Sequence, residues 1–222
     1  MRYKIKGRGE IPGDRRLIDF RLYLITGGKV LASGRSLPGS VEEALKGGAR
    51  AVQLREKDLG AREILDIAFN LRRLTADYNA KLFINDRVDI ALAAGADGVH
   101  LGSMGIPPSA ARKAAGDSLL IGASAHSVEE AKRAEDDGAD FVTLGPVYET
   151  PSKMRYGRPL GPDILKKAMH EISIPIFAIG GVKLEKIGEV METGVHGIAL
   201  ISAILAADDI KSNTEKFMRL LR

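Results

Sequence analysis

The chain has 222 residues, 45% of them hydrophobic and 28% charged, with a formal net charge of +4. That length buries one sizeable core and lies where an α/β barrel runs as a single domain. Cysteine and tryptophan are absent, which excludes disulfides, thiolate nucleophiles and cysteine metal sites and leaves few platforms for stacking bases.

In chain order, residues 1–20 come first as an N-terminal extension, ahead of a barrel domain expected over 21–222. The extension is basic but broken by Glu10, Asp14, Asp19, three glycines and a proline. It has neither an apolar signal region nor an amphipathic targeting pattern, so the expected location is the cytoplasm. No apolar run approaches the roughly 20 residues of a membrane span, so no membrane partner is expected. Lys and Arg are interleaved with Asp and Glu rather than clustered, so no nucleic-acid partner is expected either. A mild positive excess suits anionic small molecules.

From there a unit repeats: a short apolar run ending in polar or glycine residues, then an amphipathic stretch. Strands are expected at Leu22–Thr26, Ala51–Glu56, Lys81–Asn85, Gly98–Leu101, Leu119–Ala123, Phe141–Gly145, Pro175–Ile179 and Gly197–Ile201. Continuous apolar runs such as Ile176-Phe177-Ala178-Ile179 fit parallel strands buried on both faces. The helix after the fifth strand opens with Ser127 as N-cap and Glu130 completing a capping box. Four segments share one pattern, Gly48-Ala49-Arg50, Gly95-Ala96-Asp97, Gly138-Ala139-Asp140 and Gly194-Val195-His196, each leading into a strand. They mark a helix stop followed by a turn into a parallel strand. Strand starts lie roughly 25 residues apart, as compact βα units require. The expected fold is therefore α/β, a (β/α)8 TIM barrel in one domain. The rival is an open doubly wound sheet, but no Gly-x-Gly-x-x-Gly follows the first strand.

In a barrel of this kind chemistry sits after each strand. The second strand ends Gln53-Leu54-Arg55-Glu56-Lys57, and alternation sends Gln53, Arg55 and Lys57 to one side. Buried there, they need partners or ligands; the plainer reading is surface charge, or ion pairs with Glu56 or Asp58. Asn85 and Asp86 close the third strand, either as turn and N-cap residues or as substrate holder and Mg2+ ligand. His100 at the fourth strand is expected to pack or support rather than react. His126 is expected to be held by a hydrogen bond at a helix entry. The long loop after the sixth strand carries Thr150, Ser152 and Lys153, able to fold over an anion. Gly180-Gly181 after the seventh strand and Ser202 after the eighth form a candidate phosphate site.

Six segments in order resemble the thiamine phosphate synthase/thiazole tautomerase family: Val52–Lys57, Phe83–Asp89, Ala96–Gly102, Ile121–Ser127, Gly145–Tyr148 and Ala178–Val182. The resemblance runs from about Leu22 to Ile204. It implies a condensation of hydroxymethylpyrimidine diphosphate with thiazole phosphate, giving thiamine phosphate and pyrophosphate. It further implies that Gln53 and Asn85 hold the pyrimidine, while Arg55, Lys57 and Lys153 clamp the diphosphate with Mg2+ on Asp86. Ser124 would touch the leaving group, Thr150 and Ser152 would help hold substrate, and Gly181, Ile201 and Ser202 would cradle the thiazole phosphate. In the family's mechanism pyrophosphate leaves first and the thiazole nitrogen then attacks a pyrimidine-methyl cation. No side-chain nucleophile is needed.

One position departs from the family pattern. Gly105 stands where synthases carry a second acidic Mg2+ ligand, and Ser103 replaces the usual glutamine. Two alternatives follow: a metal-independent thiazole tautomerase, and a non-catalytic binder of thiazole phosphate or thiamine phosphate. The tautomerase branch uses a histidine on the strand-six loop, where this chain has Pro146. The oligomeric state is left open, a homodimer included.

Overall fold

A computed structural model describes residues 18–150 and 159–221. Eight parallel strands close into a barrel in sequence order: β1 (Leu22–Ile25), β2 (Ala51–Leu54), β3 (Lys81–Asn85), β4 (Gly98–Leu101), β5 (Leu120–Ala125), β6 (Phe141–Leu144), β7 (Ile176–Ile179) and β8 (Gly197–Leu200). Around them lie α1 (Leu37–Lys46), α2 (Ala61–Asp77), α3 (Val88–Ala94), α4 (Pro108–Ala115), α5 (Val128–Asp136), α6 (Pro162–Glu171), α7 (Ile187–Met191), α8 (Ser202–Leu205) and α9 (Ile210–Leu220). The barrel closes where β1 pairs with β8, Leu22 opposite Ile198. This is the TIM barrel expected from the repeat.

β3 and β4 have the expected limits and the other six strands differ by one or two residues at an end; two of these differences bear on the site. β2 stops at Leu54 because the Arg55 N–H leaves the ladder and donates to the Thr26 hydroxyl at 2.9 Å. β5 runs on to Ala125, which puts Ser124 inside the strand, opposite Thr143 of β6.

Strand alternation divides the core in two. Val52, Leu54, Leu82, Ile84 and Val99 face outward to the helices, where Val41 and Leu45 of α1 and Ala68 and Leu71 of α2 meet them. Tyr23, Phe83, Phe141 and Phe177 point inward and pack with Ile18 and Phe20, which precede β1. Phe20 stacks on Phe177 with ring centres 5.1 Å apart, and Tyr23 meets Phe83 edge to face at 5.3 Å. Such aromatic pairs add about 0.5–1.5 kcal/mol each beyond their buried area.

Glycines make the room these rings need. A β-carbon on Gly98 would stand 2.5 Å from the Phe83 ring, and one on Gly122 would stand 2.4 Å from Phe141. Large and absent side chains thus interdigitate across neighbouring strands, filling the interior without strain.

The four-fold Gly-Ala/Val-X pattern has a physical purpose beyond helix ending. Gly48, Gly95, Gly138 and Gly194 all have positive φ. The X residue then ties the barrel's N-terminal end together. Asp140 accepts from Ile121 N at 2.7 Å and from the Arg112 guanidinium at 2.6 Å. Asp97 does the same with Leu82 N at 2.8 Å and with Arg72. Arg50 donates to the Leu45 and Ala49 carbonyls. His196 Nε2 lies 3.1 Å from the Phe20 carbonyl, which anchors the segment before β1.

Candidate active site

The inward positions at the C-terminal ends of the strands are polar, in contrast to the aromatic layers beneath. Gln53 on β2 is 1% exposed. Its Nε2 lies 3.4 Å from Asn85 Oδ1 on β3, and Asn85 Nδ2 donates to Asp86 Oδ2 at 2.7 Å. Asp86 Oδ1 accepts from Gly102 N at 2.7 Å. A continuous line of hydrogen bonds therefore crosses three strands, from Gln53 to the loop after β4.

Asp86 has φ 58, in the left-handed region where Asp and Asn are the non-glycine residues best tolerated. That turn lifts its carboxylate off the strand and over Gly102. Neither Asn85 nor Asp86 caps α3; the residue at the N-cap is Arg87, which bonds Asp89. The Arg87 hydrogen bond outweighs partial burial and holds the Asp89 carboxyl below its usual range.

A second line starts at β4. His100 is 2% exposed, with Nε2 3.1 Å from Ser124 Oγ and 3.5 Å from Thr143 Oγ1. Burial, reinforced by the nearby Arg55 charge, depresses its pKa to about 3, so the ring is neutral at physiological pH. Arg55 follows β2 at this rim, half-buried, with its backbone N–H on the Thr26 hydroxyl. Lys57 is exposed in the loop beyond β2. Of the two acids considered for the β2 end, Asp58 binds Lys29 at 2.7 Å, and Glu56 accepts from the Thr26 hydroxyl at 2.7 Å.

Across the ring, Gly180 and Gly181 end β7 with φ 93 and 68. Their conformation also serves packing. A β-carbon on Gly181 would stand 2.7 Å from the Glu149 carbonyl, and one on Gly180 would stand 2.6 Å from Pro146. The strand-six loop lies directly on them, with Val147 N on the Ile179 carbonyl and Tyr148 N on the Gly180 carbonyl. Ile201 packs against the barrel interior, and Ser202 opens α8, whose first N–H groups have no carbonyl four residues back. Thr150 donates its hydroxyl to the Tyr148 carbonyl at 3.1 Å. Ser152 and Lys153 lie outside the described residues.

The structure thus gathers Gln53, Arg55, Asn85, Asp86 and Ser124 on one arc of the rim, with Gly181, Ile201 and Ser202 at the strand ends facing them. His126 is held as expected, its Nδ1 2.6 Å from the Gly145 carbonyl. Ser127 caps α5 by accepting from Glu130 N, but Glu130 reaches past it to His126 N, so the capping box closes one residue early. Sequence reading missed Thr26 and Thr143. Their only signal was a hydroxyl at an inward strand position.

Among the described residues no three His, Cys, Asp or Glu side chains converge as a metal cage. Asp86 instead faces a notch: a β-carbon on Gly105 would stand 2.9 Å from Asp86 Oδ1.

A closed parallel barrel with a buried amide pair, a raised carboxylate, a guanidinium and a strand hydroxyl at its C-terminal rim defines a TIM-barrel enzyme acting on small molecules. Residues 22–204 match the family model described as thiamine monophosphate synthase. A relative in Geobacter sulfurreducens is 53% identical over 204 residues, 92% of this chain and 95% of that one. The thiamine-phosphate synthase of Clostridium novyi is 50% identical over 194 residues, covering 87% of this chain and 95% of its own. The solved thiamine phosphate pyrophosphorylase of Pyrococcus furiosus superposes with a TM-score of 0.84 at 41% identity, covering 91% of this chain and 95% of that one. The chain belongs to the thiamine monophosphate synthase family, and its activity is thiamine-phosphate synthesis in thiamine biosynthesis. No helix among the described residues is long and apolar enough to cross a membrane.

Proposed function

We propose that this rim joins hydroxymethylpyrimidine diphosphate to thiazole phosphate in the cytoplasm, with pyrophosphate as leaving group and Mg2+ as the required ion. The observation that carries the reading is the hydrogen-bonded line Gln53–Asn85–Asp86–Gly102 beside the Arg55 charge. Amides at Gln53 and Asn85 match the donor and acceptor edge of an aminopyrimidine. Arg55 directly follows β2 and Lys57 lies two residues further along its exposed loop, where a diphosphate attached to that ring would extend. Lys153, Ser152 and Thr150 belong to the loop that would cover it. N–H groups at Gly181 and Ser202 would receive the thiazole phosphate, with Ile201 against the ring.

The reaction breaks the methylene C–O bond, and the electron pair leaves with the diphosphate. The thiazole nitrogen then forms the new bond to the methylene carbon. The barrier is charge separation, so donors fixed in advance toward the departing oxygens lower it most. Arg55 and the Ser124 hydroxyl are such donors.

Mg2+ fits the donor set in a reduced form, because this ion is commonly held by one or two carboxylates with phosphate oxygens completing its sphere. Asp86 supplies one hard oxygen beside the open notch at Gly105. When bound, the ion would neutralise charge building on the leaving group. Asp86 itself is kept in place by Gly102 N and Asn85 Nδ2.

The test is to incubate both substrates with the enzyme and MgCl2 and follow thiamine phosphate and pyrophosphate. The expected result is equal amounts of both, abolished by chelation. Failure to form either at high enzyme concentration overturns the reading.

A further inference from the structure

His100 is left without a role by the substrate contacts, although it is buried, polar and neutral. Its Nε2 faces Ser124 Oγ at 3.1 Å, with Thr143 Oγ1 beyond hydrogen-bonding optimum at 3.5 Å. Its Nδ1 is buried without a partner. It lies over the bare backbone of Gly122, where a β-carbon would come within 2.5 Å of it.

A neutral imidazole carries one proton, and the two placements are not equivalent here. On Nδ1 the proton would form a buried N–H with nothing to receive it, which folded proteins strongly avoid. On Nε2 it is donated to Ser124 Oγ, and only a lone pair is left at Nδ1. Ser124 then accepts from below. Its own hydroxyl proton is free to point out of the barrel, toward the mouth.

We infer that His100 is a positioning residue, whose Nε2–H fixes the Ser124 hydroxyl as a hydrogen-bond donor aimed at the departing diphosphate. The inference rests on the reading that Ser124 meets the leaving group. A serine with no such partner can rotate and turn its proton back to the Thr143 hydroxyl or the strand. A serine already accepting from His100 has its donor direction selected before substrate arrives, which is the preorganisation that counts in the transition state.

Two measurements test this. Nitrogen-15 NMR of wild-type enzyme at neutral pH should show a single neutral His100 tautomer, protonated at Nε2. The Nδ1–H form would overturn the inference without any variant being made. Steady-state kinetics should then compare His100→Leu, His100→Gln, Ser124→Ala and the double variant His100→Leu/Ser124→Ala. His100→Leu should lower kcat at least about tenfold with KM little changed. His100→Gln, whose amide N–H can reach the same oxygen, should recover most of that loss. On the Ser124→Ala background, His100→Leu should cost nothing further. Equal losses on both backgrounds would overturn the link to Ser124. A Ser124→Ala enzyme with wild-type rates would remove the premise instead, a failure distinguishable from the first.

Discussion

Gly105 and Asp86 are complementary: the hydrogen that replaces a side chain on Gly105 leaves a notch whose wall, 2.9 Å from where a β-carbon would sit, is Asp86 Oδ1. An acid built at 105 would place a second carboxylate on the first. Gly105→Asp should therefore lower stability without metal, because two like charges share one pocket. It should also lower the Mg2+ concentration for half-maximal activity by about tenfold, about 1.4 kcal/mol. Thermal melts with and without MgCl2, and an Mg2+ titration of rate, check both.

Asp86→Asn and Asp86→Ala should differ. Asparagine tolerates positive φ and keeps one acceptor for Gly102 N, so Asp86→Asn should fold within about 1 kcal/mol of wild type while losing turnover about 100-fold or more. Alanine adds backbone strain of about 1–2 kcal/mol and orphans the Gly102 N–H. Urea denaturation beside kinetics separates the two effects.

Gly98→Ala should destabilise the protein by about 1–3 kcal/mol through overpacking. Its β-carbon would meet the Phe83 ring at 2.5 Å and the Leu120 carbonyl at 2.6 Å, and the carbonyl cannot step aside. Equilibrium denaturation measures the loss.

Asp140→Ala should cost about 2–3 kcal/mol, since it leaves the Ile121 N–H and the Arg112 guanidinium without their shared acceptor. The site lies at the opposite end of the barrel from the rim. KM and kcat below the melting temperature should therefore be unchanged.

Acid should destabilise the fold through His100. Its folded pKa of about 3 lies below the unfolded value near 6.5, so the unfolded chain takes up the proton first. Stability from this group is complete above about 6.5 and declines as pH falls toward 3, by about 2 kcal/mol at pH 5. His100→Gln should show a shallower decline over that window in denaturation measured at a series of pH values.

The eight strands were legible because each is short, apolar and followed by an amphipathic stretch, and the Gly-Ala-Asp turns recur with them. Their limits were less so. Whether a chain leaves a ladder at Leu54 or Arg55 is decided by the Thr26 hydroxyl, 29 residues away in sequence from Arg55. The site was legible as residue types at strand ends, as with Gln53, Asn85 and Asp86. Their mutual bonds were not, because register between strands fixes which side chains meet. His100 shows the limit most clearly. Its sequence neighbours give no hint of Ser124, which is brought beside it only by the pairing of Gly122 with His100.

The rings of Phe20, Tyr23, Phe83, Phe141 and Phe177 stopper the barrel beneath its polar rim, and this governs molecular traffic. These rings are fully or almost fully buried and fill the described interior, leaving no axial passage between the two ends. Anything bound at the polar rim therefore enters and leaves from that same side.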